Sequence, residues 1–345
     1  MRELGGSSVR KIINDPEAFV DEVIEGILAA HPSELKRASG TDRGLMRADG
    51  PVQGKVAIAT GGGSGHIPIF LGYVGEGLLD GVSIGNVFSS PSVEAMYELT
   101  KAIDGGKGVL YLYGNYSGDS MNFDMAAEMC DMDDIEVASV RVRDDVVSAP
   151  KESAETRRAV AGLFFAYKIA GAKAETGADL AEVAATAQKV VQSTCSMGVA
   201  LSPCTIPAVG EPTFEIGDDE MELGMGIHGE KGIERGKLKT ADEVAEIMTN
   251  YVLDDLPFGS GDQVAILVNG LGATPPEELY LLFRKANEVI TGRGISVERV
   301  FIGEYATSME MAGGSISLLK LDDELLQLLD APCYSPFLPQ FRTHR

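Results

Sequence analysis

The sequence of 345 residues has no tryptophan, few cysteines and no long hydrophobic run. No apolar stretch approaches the ~18 residues that a membrane-spanning helix needs, and no signal peptide pattern opens the chain. The cysteines show neither a CxxC pair nor metal-ligand spacing; they are Cys130, Cys195, Cys204 and Cys333. We therefore predict buried, reduced thiols in a cytoplasmic protein that has no membrane partner.

Positive charge is also scarce, because 29 Lys and Arg stand against 52 Asp and Glu, a formal net charge of −23. This balance argues strongly against nucleic acid or an anionic membrane as a partner, since both carry negative charge. A well-solvated acidic surface is the simplest explanation, and steering of a basic partner protein is the alternative.

From residue 56 onward the chain alternates short apolar runs, Gly-rich turns and helical patterns, which is typical of a sheet with helices on both faces. We predict an α/β fold of two α/β domains, each a sheet flanked by helices, over residues 1–190 and 191–345. The predicted strands are 56–59, 81–86, 108–113, 135–142, 198–202, 214–216, 263–268, 297–302 and 315–321. The predicted helices are 16–30, 68–74, 92–102, 121–132, 157–173, 180–191, 241–253, 276–291 and 322–329.

Two of the four histidines lie in Gly-rich turns, His66 at the end of GGGSGH and His228 within GIHGE. Such turns let backbone approach a ligand closely, and an imidazole there can serve as nucleophile or proton carrier. A capping role for His66 and an inter-domain hydrogen bond for His228 are the structural alternatives. No second histidine or cysteine stands at ligand spacing from His228, which argues against a metal site. His31 and His344 have ordinary terminal surroundings.

Asp119 follows the buried strand predicted at 108–113 and is the third candidate. Ligands of open α/β sheets collect at the carboxyl ends of strands, where the loop of His66 also belongs. Asp119 and His66 are therefore candidates for an acid–base pair over a bound hydroxyl compound. An N-cap role for Asp119 is the alternative, since a helix follows it.

Five motifs in order, GGGSGH, NYSGDSMNF, EMELGMGIHGE, NGLGATP and SMEMAGGSISLLKLDDELLQLLDAP, resemble the substrate-binding subunit of the dihydroxyacetone kinase family. The resemblance spans about residues 1 to 340. It implies that His228 binds a short hydroxyketone covalently as a hemiaminal and that Asp119 accepts the proton of the hydroxyl being phosphorylated. It further implies that His66 hydrogen-bonds the substrate and assists proton movement, and that the pocket is lined by Gly62, Gly63, Ser64 and Gly65.

The chain has no Walker motif, no protein-kinase motif set and no acidic cluster suited to Mg²⁺ and nucleotide phosphates. We therefore expect no cofactor on this chain. The resemblance implies a separate nucleotide-binding kinase subunit, carrying ADP recharged by a phosphotransferase relay or using ATP directly, with Mg, and it implies a homodimer. Arg157 and Arg158, on the helix predicted after Thr156, are candidates to meet that partner's phosphates; the alternative is two solvated arginines.

Several positions depart from the family pattern. Gly114 replaces a usual lysine, Ile67 replaces a glutamate, Phe70 and Leu71 replace His-Ala, and Gly314 occupies a place that is often bulky. These changes predict a roomier, more apolar pocket for a longer ketose such as erythrulose. A ketone-sensing regulatory paralogue without turnover is the second reading, although the retained Asp119 argues against it. An unrelated carbonyl-binding or fatty-acid-binding α/β protein is the third.

Overall fold

The computed structural model describes residues 10–338 and contains two six-stranded sheets. The first sheet consists of β1 (Leu35–Arg37), β2 (Gly44–Arg47), β3 (Ala57–Ser64), β4 (Gly81–Val87), β5 (Val109–Gly114) and β6 (Val137–Val142). The second consists of β7 (Thr194–Ser202), β8 (Glu220–Leu223), β9 (Glu234–Lys237), β10 (Gln263–Gly270), β11 (Ser296–Gly303) and β12 (Ala312–Leu321). The helices are α1 (Phe19–Ala30), α2 (Val93–Ile103), α3 (Ser117–Met132), α4 (Leu163–Glu175), α5 (Leu180–Ser193), α6 (Ala241–Asp255), α7 (Pro276–Gly292) and α8 (Asp323–Leu329). The predicted α/β class is confirmed.

The first sheet has the strand order β1-β2-β4-β3-β5-β6, and its last four strands are parallel. Strand β3 is longer than predicted, because the glycines that were assigned to a turn extend it to Ser64. A Cβ at Gly63 would lie 2.7 Å from Phe88 Cα, so only glycine lets these backbones approach. The carboxyl ends of β3 and β5 meet at one edge of the sheet, as predicted.

The second sheet has the order β11-β10-β12-β7-β8-β9, in which only the pairing of β10 with β11 is parallel. Residues 224–233 join β8 to the antiparallel β9 and carry His228. The strand predicted at 214–216 is wrong, since these residues lie in the irregular segment between β7 and β8.

Most predicted helices are confirmed to within a few residues, but three differ. Helix α3 begins at Ser117, four residues earlier than predicted. Helix α4 begins at Leu163 rather than 157, because the buried Asp144 carboxylate accepts the N–H groups of Val160 and Gly162 and holds the preceding chain out of the helix. Residues 68–74 form only a single 3-10 turn, Leu71–Tyr73.

A large apolar core joins the two sheets. Helix α4 is buried along nearly its whole length and packs against α5 and α8. The same core contains Leu110 of β5 and Leu267 of β10, one from each sheet. After α8 the chain returns to the first half, where Tyr334 N–H donates to the Glu76 carbonyl at 2.9 Å. The strands thus divide between residues 35–142 and 194–321, while the domain limits 1–190 and 191–345 stay a prediction.

Two predictions concern the cysteines and the lack of a long hydrophobic run. All four cysteines are buried, as predicted. No helix among residues 10–338 is both long enough and apolar enough to cross a membrane. His344 lies outside the described residues.

Candidate active site

His66 lies directly after β3 and is 1% exposed. Its Nδ1 is 2.7 Å from the Thr307 carbonyl oxygen, which can only accept, so the ring proton belongs on Nδ1. The imidazole stacks on Phe88 at 4.6 Å between ring centroids. Burial, followed by the nearby His228, lowers the pKa of His66 to about 3, so the ring is neutral near pH 7.

His228 is held differently, by a carboxylate two residues away. Its Nδ1 is 2.9 Å from Glu230 Oε1, and its backbone N–H donates to Glu230 Oε2 at 2.9 Å. Burial alone would raise the pKa of Glu230, but the hydrogen bond and charge of His228 lower it to about 2. An ionised Glu230 holds the Nδ1 proton of His228 and leaves Nε2 as the nucleophilic nitrogen. Glu230 belongs to the motif GIHGE, but no role for it was predicted from the sequence.

Asp119 lies in the first turn of α3, whose N-cap is Tyr116, so the N-cap alternative for Asp119 is wrong. The carboxyl is 6% exposed and its Oδ1 has no hydrogen-bond partner. Burial raises the pKa of Asp119 to about 6, against the opposing effects of the Ser90 hydroxyl and of His228. A carboxylate with a pKa just below neutrality is well suited to accept a proton.

The two histidines meet in space although 162 positions separate their numbers in the sequence. Their ring centroids are 4.8 Å apart at 82°, and the ring of Tyr116 faces His228 at 4.7 Å from the α3 side. Phe88 contacts both, since it is 5.4 Å from His228. Tyr116 belongs to the motif NYSGDSMNF and Phe88 to none of the motifs, and no residue pattern indicated that either would contact His228.

Two predicted site residues carry buried polar atoms without partners. Among residues 10–338 only four buried side-chain polar atoms lack a hydrogen bond, those being His66 Nε2, Asp119 Oδ1, Ser83 Oγ and Thr249 Oγ1. Each such atom costs roughly 1–3 kcal/mol in a folded protein, and its persistence needs a functional reason. An acceptor nitrogen next to the His228 ring, and an acceptor carboxylate that is within electrostatic reach of His228, suit a ligand rich in hydroxyl groups.

Gly62, Gly63, Ser64 and Gly65 line a cavity of about 20 Å³ that is closed on its far side by α1. A Cβ at Gly62 would lie 2.4 Å from the Phe70 ring, and one at Gly65 would lie 2.9 Å from Phe88. These glycines therefore let two aromatic rings pack around His66, in addition to any contact with substrate.

Comparison with known proteins fits this geometry. The model of the Dak1 domain matches residues 25–337. The chain belongs to the Dak1 family. It is 44% identical to the dihydroxyacetone-binding subunit DhaK of PTS-dependent dihydroxyacetone kinase 2 from Listeria innocua, over 95% of this chain and 99% of that protein. It is 40% identical to L-erythrulose 1-kinase of Mycolicibacterium smegmatis over 94% of this chain, but spans only 57% of that protein.

Solved structures give the same family. The dihydroxyacetone kinase of C. freundii superimposes with a TM-score of 0.84 at 31% identity, covering 95% of this chain and 60% of that one. The dihydroxyacetone kinase operon co-activator Dha-DhaQ superimposes with a TM-score of 0.86 at 28% identity, covering 94% and 99%. The prediction of an unrelated α/β binder is therefore wrong.

The departures of this Dak1 chain from the family pattern fall in three places. Gly114 opens no room, because a Cβ there would lie 3.1 Å from both the Ala159 Cβ and the Tyr116 ring. Phe70 packs on the Gly-rich strand, and with Ile67 and Leu71 it lines the cavity on the α1 side, so the apolar wall lies behind the loop.

Gly314 belongs elsewhere in the chain's architecture. A Cβ at this position on β12 would meet the Asn269 carbonyl and Leu279 of α7, on the face of the second sheet that α7 covers. The interpretation that groups Gly314 with the pocket changes is therefore wrong.

Arg157 and Arg158 follow a 3-10 turn in extended chain rather than lying on a helix. Arg157 is 5% exposed and donates two hydrogen bonds to the Asp255 carboxylate, at 2.7 and 2.8 Å. Its guanidinium is therefore not available for the predicted contact with a partner's phosphates. Arg158 forms an ion pair with Asp145 at 2.8 Å. The pKa of Glu230 is affected most by burial, which raises it, and by His228, which lowers it; the charge of Arg158 lowers it further. Arg158 therefore supports the site from within the chain.

Proposed function

We propose that this chain is the ketose-binding subunit of a dihydroxyacetone kinase, a phosphotransferase with an alcohol group as acceptor. The observation that carries the proposal is the carboxylate-held His228 with two buried acceptors that lack partners, His66 Nε2 on the adjoining ring and Asp119 Oδ1, whose carboxyl pKa is raised by burial and lowered in part by the charge of His228. The Listeria relative, of which the chain covers 99%, is named as a dihydroxyacetone-binding subunit and supports the same assignment.

His228 captures the ketone covalently in this proposal. The Nε2 lone pair attacks the carbonyl carbon, a C–N bond forms, and the C=O π bond opens to an oxygen that takes up a proton. The imidazole gives up its Nδ1 proton as the bond forms, and the ionised Glu230 at 2.9 Å is placed to receive it and relay it. The product is a neutral hemiaminal, so charge balances. The bond fixes the substrate hydroxyl for transfer.

Asp119 and His66 then serve the hydroxyl groups of the bound ketose. Asp119 accepts the proton of the primary hydroxyl that attacks the phosphoryl group, which its pKa of about 6 allows near neutrality. His66 accepts a hydrogen bond from substrate at Nε2, since its Nδ1 proton is committed to Thr307. Gly62, Gly63, Ser64 and Gly65 line the adjoining wall.

The phosphoryl donor belongs, in this proposal, to a separate nucleotide-binding subunit that carries ADP or ATP with Mg. The name of the Listeria relative, a binding subunit of a PTS-dependent kinase, supports this division and favours a phosphotransferase relay. By the same resemblance we propose a cytoplasmic homodimer. Sedimentation equilibrium separates that dimer from the 36.5 kDa monomer.

Two variants of the proposal have specific support. A longer ketose is supported by the 40% identity to L-erythrulose 1-kinase, but more weakly than dihydroxyacetone is by the 44% identity to the Listeria subunit, because this chain spans 57% of that kinase and 99% of that subunit. A sensor without turnover is favoured by the superposition on the co-activator Dha-DhaQ. The buried, unpartnered Asp119 counts against the sensor, because ligand capture by His228 alone would not need a proton acceptor that costs stability.

Carbon NMR with ketose labelled at the carbonyl carbon tests the proposal directly. We expect the ketone resonance of dihydroxyacetone to be replaced by one of a tetrahedral carbon in wild type and to remain unchanged in His228→Ala. His31→Ala is the matched control, because it removes an imidazole whose ring contacts Phe337. Erythrulose in parallel ranks the substrates by adduct fraction. A folded wild type without adduct from either ketose would overturn the proposal.

A further inference from the structure

Residues 305–309, which follow β11, reach both histidine loops and are named here the clasp segment. Thr307 contacts the first loop three times: its carbonyl accepts from His66 Nδ1, its N–H donates to the His66 carbonyl at 3.3 Å, and its hydroxyl donates to the Ile67 carbonyl at 2.8 Å. Met309 N–H adds a bond to the Gly65 carbonyl at 2.9 Å. The clasp segment therefore fixes the backbone and the ring of His66 together.

The next residue of the clasp segment holds the other histidine loop. Ser308 is fully buried, and its hydroxyl donates a short hydrogen bond to the carbonyl of Ile227, the residue before His228. Its backbone N–H donates to the Leu271 carbonyl at 2.8 Å and so anchors Ser308 on the second sheet. Two consecutive residues, Thr307 and Ser308, thus bond the two parts of the chain that carry the imidazoles.

Asn269 holds the clasp segment itself. Its side-chain oxygen accepts the N–H groups of Tyr305 and Ala306 at 2.8 and 2.9 Å, and its Nδ2 donates to the Ala306 carbonyl at 2.8 Å. The residue is fully buried near the end of β10, which is paired on both sides, with β11 and with β12. A side chain that satisfies three backbone groups of one turn leaves that turn a single conformation.

We propose that Asn269 and Ser308 are positioning residues for the ketose site, which together set the spacing of the two imidazoles and hold the Nδ1–H form of His66. The positioning role itself does not depend on the proposed function. Only its expected effect on the rate of ketone capture rests on that function. Groups that orient a reacting side chain typically change activity 10–100-fold when removed, and displacements of about 1 Å matter at a reacting centre.

The decisive comparison uses two buried serines of the second half of the chain. Ser308→Ala removes the buried hydroxyl that donates to the Ile227 carbonyl. Ser317→Ala removes a buried hydroxyl that accepts from Ser196 Oγ at 2.6 Å on the neighbouring strand, without touching either histidine loop. We expect both variants to lose similar stability in urea unfolding. Only Ser308→Ala should slow capture of carbonyl-labelled dihydroxyacetone, about tenfold. Equal capture rates in the two variants would refute the role of Ser308.

Nitrogen NMR of the ligand-free protein gives a reading that needs no kinase activity. We expect the His66 ring of wild type to show one Nδ1–H tautomer, and Asn269→Asp, which repels the Ala306 carbonyl, to show a mixture. A single unchanged tautomer in a folded Asn269→Asp would overturn the assignment of Asn269. If Asn269→Asp does not fold, Asn269→Ser, which keeps one hydroxyl, replaces it with the same expectation. Wild type that captures no ketone while the tautomer responds would reject the proposed function and keep the positioning role.

Discussion

His66 and Asp119 come from the first sheet, and each keeps one buried polar atom without a partner, whereas His228 comes from the second sheet and is bonded to the ionised Glu230. Both halves place an imidazole near glycines. The first half keeps buried acceptors without hydrogen-bond partners, whereas the imidazole of the second half already has its partner before any ligand binds. Unpartnered acceptors are groups prepared to bind a hydroxyl, and a carboxylate-held imidazole is a group prepared to attack.

Asp119 and Glu230 also make the free energy of unfolding depend on pH in opposite directions. The folded pKa of Asp119, about 6, lies above its usual 3.8, so folding binds a proton between about pH 4 and pH 6 and stability falls as pH rises through this window. The folded pKa of Glu230, about 2, lies below its usual 4.5, so its contribution is present above that value and is lost as pH falls toward 2.

The largest effect is expected from removing the charge of the first half. Asp119→Asn should lower turnover by about 1,000-fold or more, because no group then accepts the hydroxyl proton. The same change should raise the free energy of unfolding at pH 7 by on the order of 2 kcal/mol, since a buried charge is removed. Urea unfolding and coupled kinase assays measure the two effects on one sample.

Asp124→Asn on the same helix is the matched control. Asp124 is exposed and pairs with Arg141 at the surface, so it should change neither quantity by more than a few tenths of a kcal/mol or a factor of two. Asp119→Asn with wild-type turnover would remove Asp119 from the proton-acceptor role. A destabilised Asp119→Asn would contradict the contrast between the halves.

Glu230→Gln replaces the charged partner of His228 by a neutral amide. His228 would then have an uncharged partner, as His66 has in the Thr307 carbonyl. Ketone capture should slow by about 100-fold, since the amide oxygen can still accept a hydrogen bond from Nδ1 but cannot take up its proton. Stability at pH 7 should fall by about 1 kcal/mol, a figure reduced for the partial exposure of the carboxylate. Rapid-mixing carbon NMR or native mass spectrometry follows the adduct, and urea unfolding follows stability.

Glu234→Gln tests the same hairpin without touching His228. Glu234 is exposed and lies 3.7 Å from Lys239, a weak pair, so capture and stability should stay at wild-type values. If Glu230→Gln captures ketone as fast as Glu234→Gln does, Glu230 only shapes the turn.

The pH profile separates the halves in the unmodified protein. Turnover should be half-maximal near pH 6 and fall about tenfold per pH unit below it, because Asp119 must be ionised to accept a proton. His66 and Glu230 keep their charge states over pH 5–8, since the pKa of each lies at or below about 3. A profile of kcat that is flat from pH 5 to pH 7 would show that proton acceptance by Asp119 does not limit the reaction.

The sequence predicts the first half of the site better than the second. His66 and Asp119 follow predicted parallel strands, and parallel strands place their carboxyl ends at one edge, so their meeting follows from a general rule. His228 lies in an antiparallel connection of another sheet. The bonds that hold the two histidine loops, from His66 to Thr307 and from Ser308 to Ile227, each end on a backbone carbonyl and therefore leave little residue-type signal. The late start of α4 was equally hidden, because the buried Asp144 overrides helical propensity there.

The smallest effect is expected where the two halves touch, at Gly114 beneath Tyr116. Gly114→Ala should raise KM for the ketose a few-fold and cost about 1 kcal/mol of stability, because its Cβ pushes the Tyr116 ring that faces His228 at 4.7 Å. Gly26→Ala, at a site on α1 with open space around the new Cβ, should leave KM unchanged and stabilise the helix slightly. Gly114→Lys, the residue usual in the family, should lose more than Gly114→Ala does, since its longer stem needs the volume that Tyr116 fills. A gain in dihydroxyacetone turnover for Gly114→Lys would instead mean that Tyr116 moves aside at little cost, and the contact between the halves would then not contribute to positioning His228.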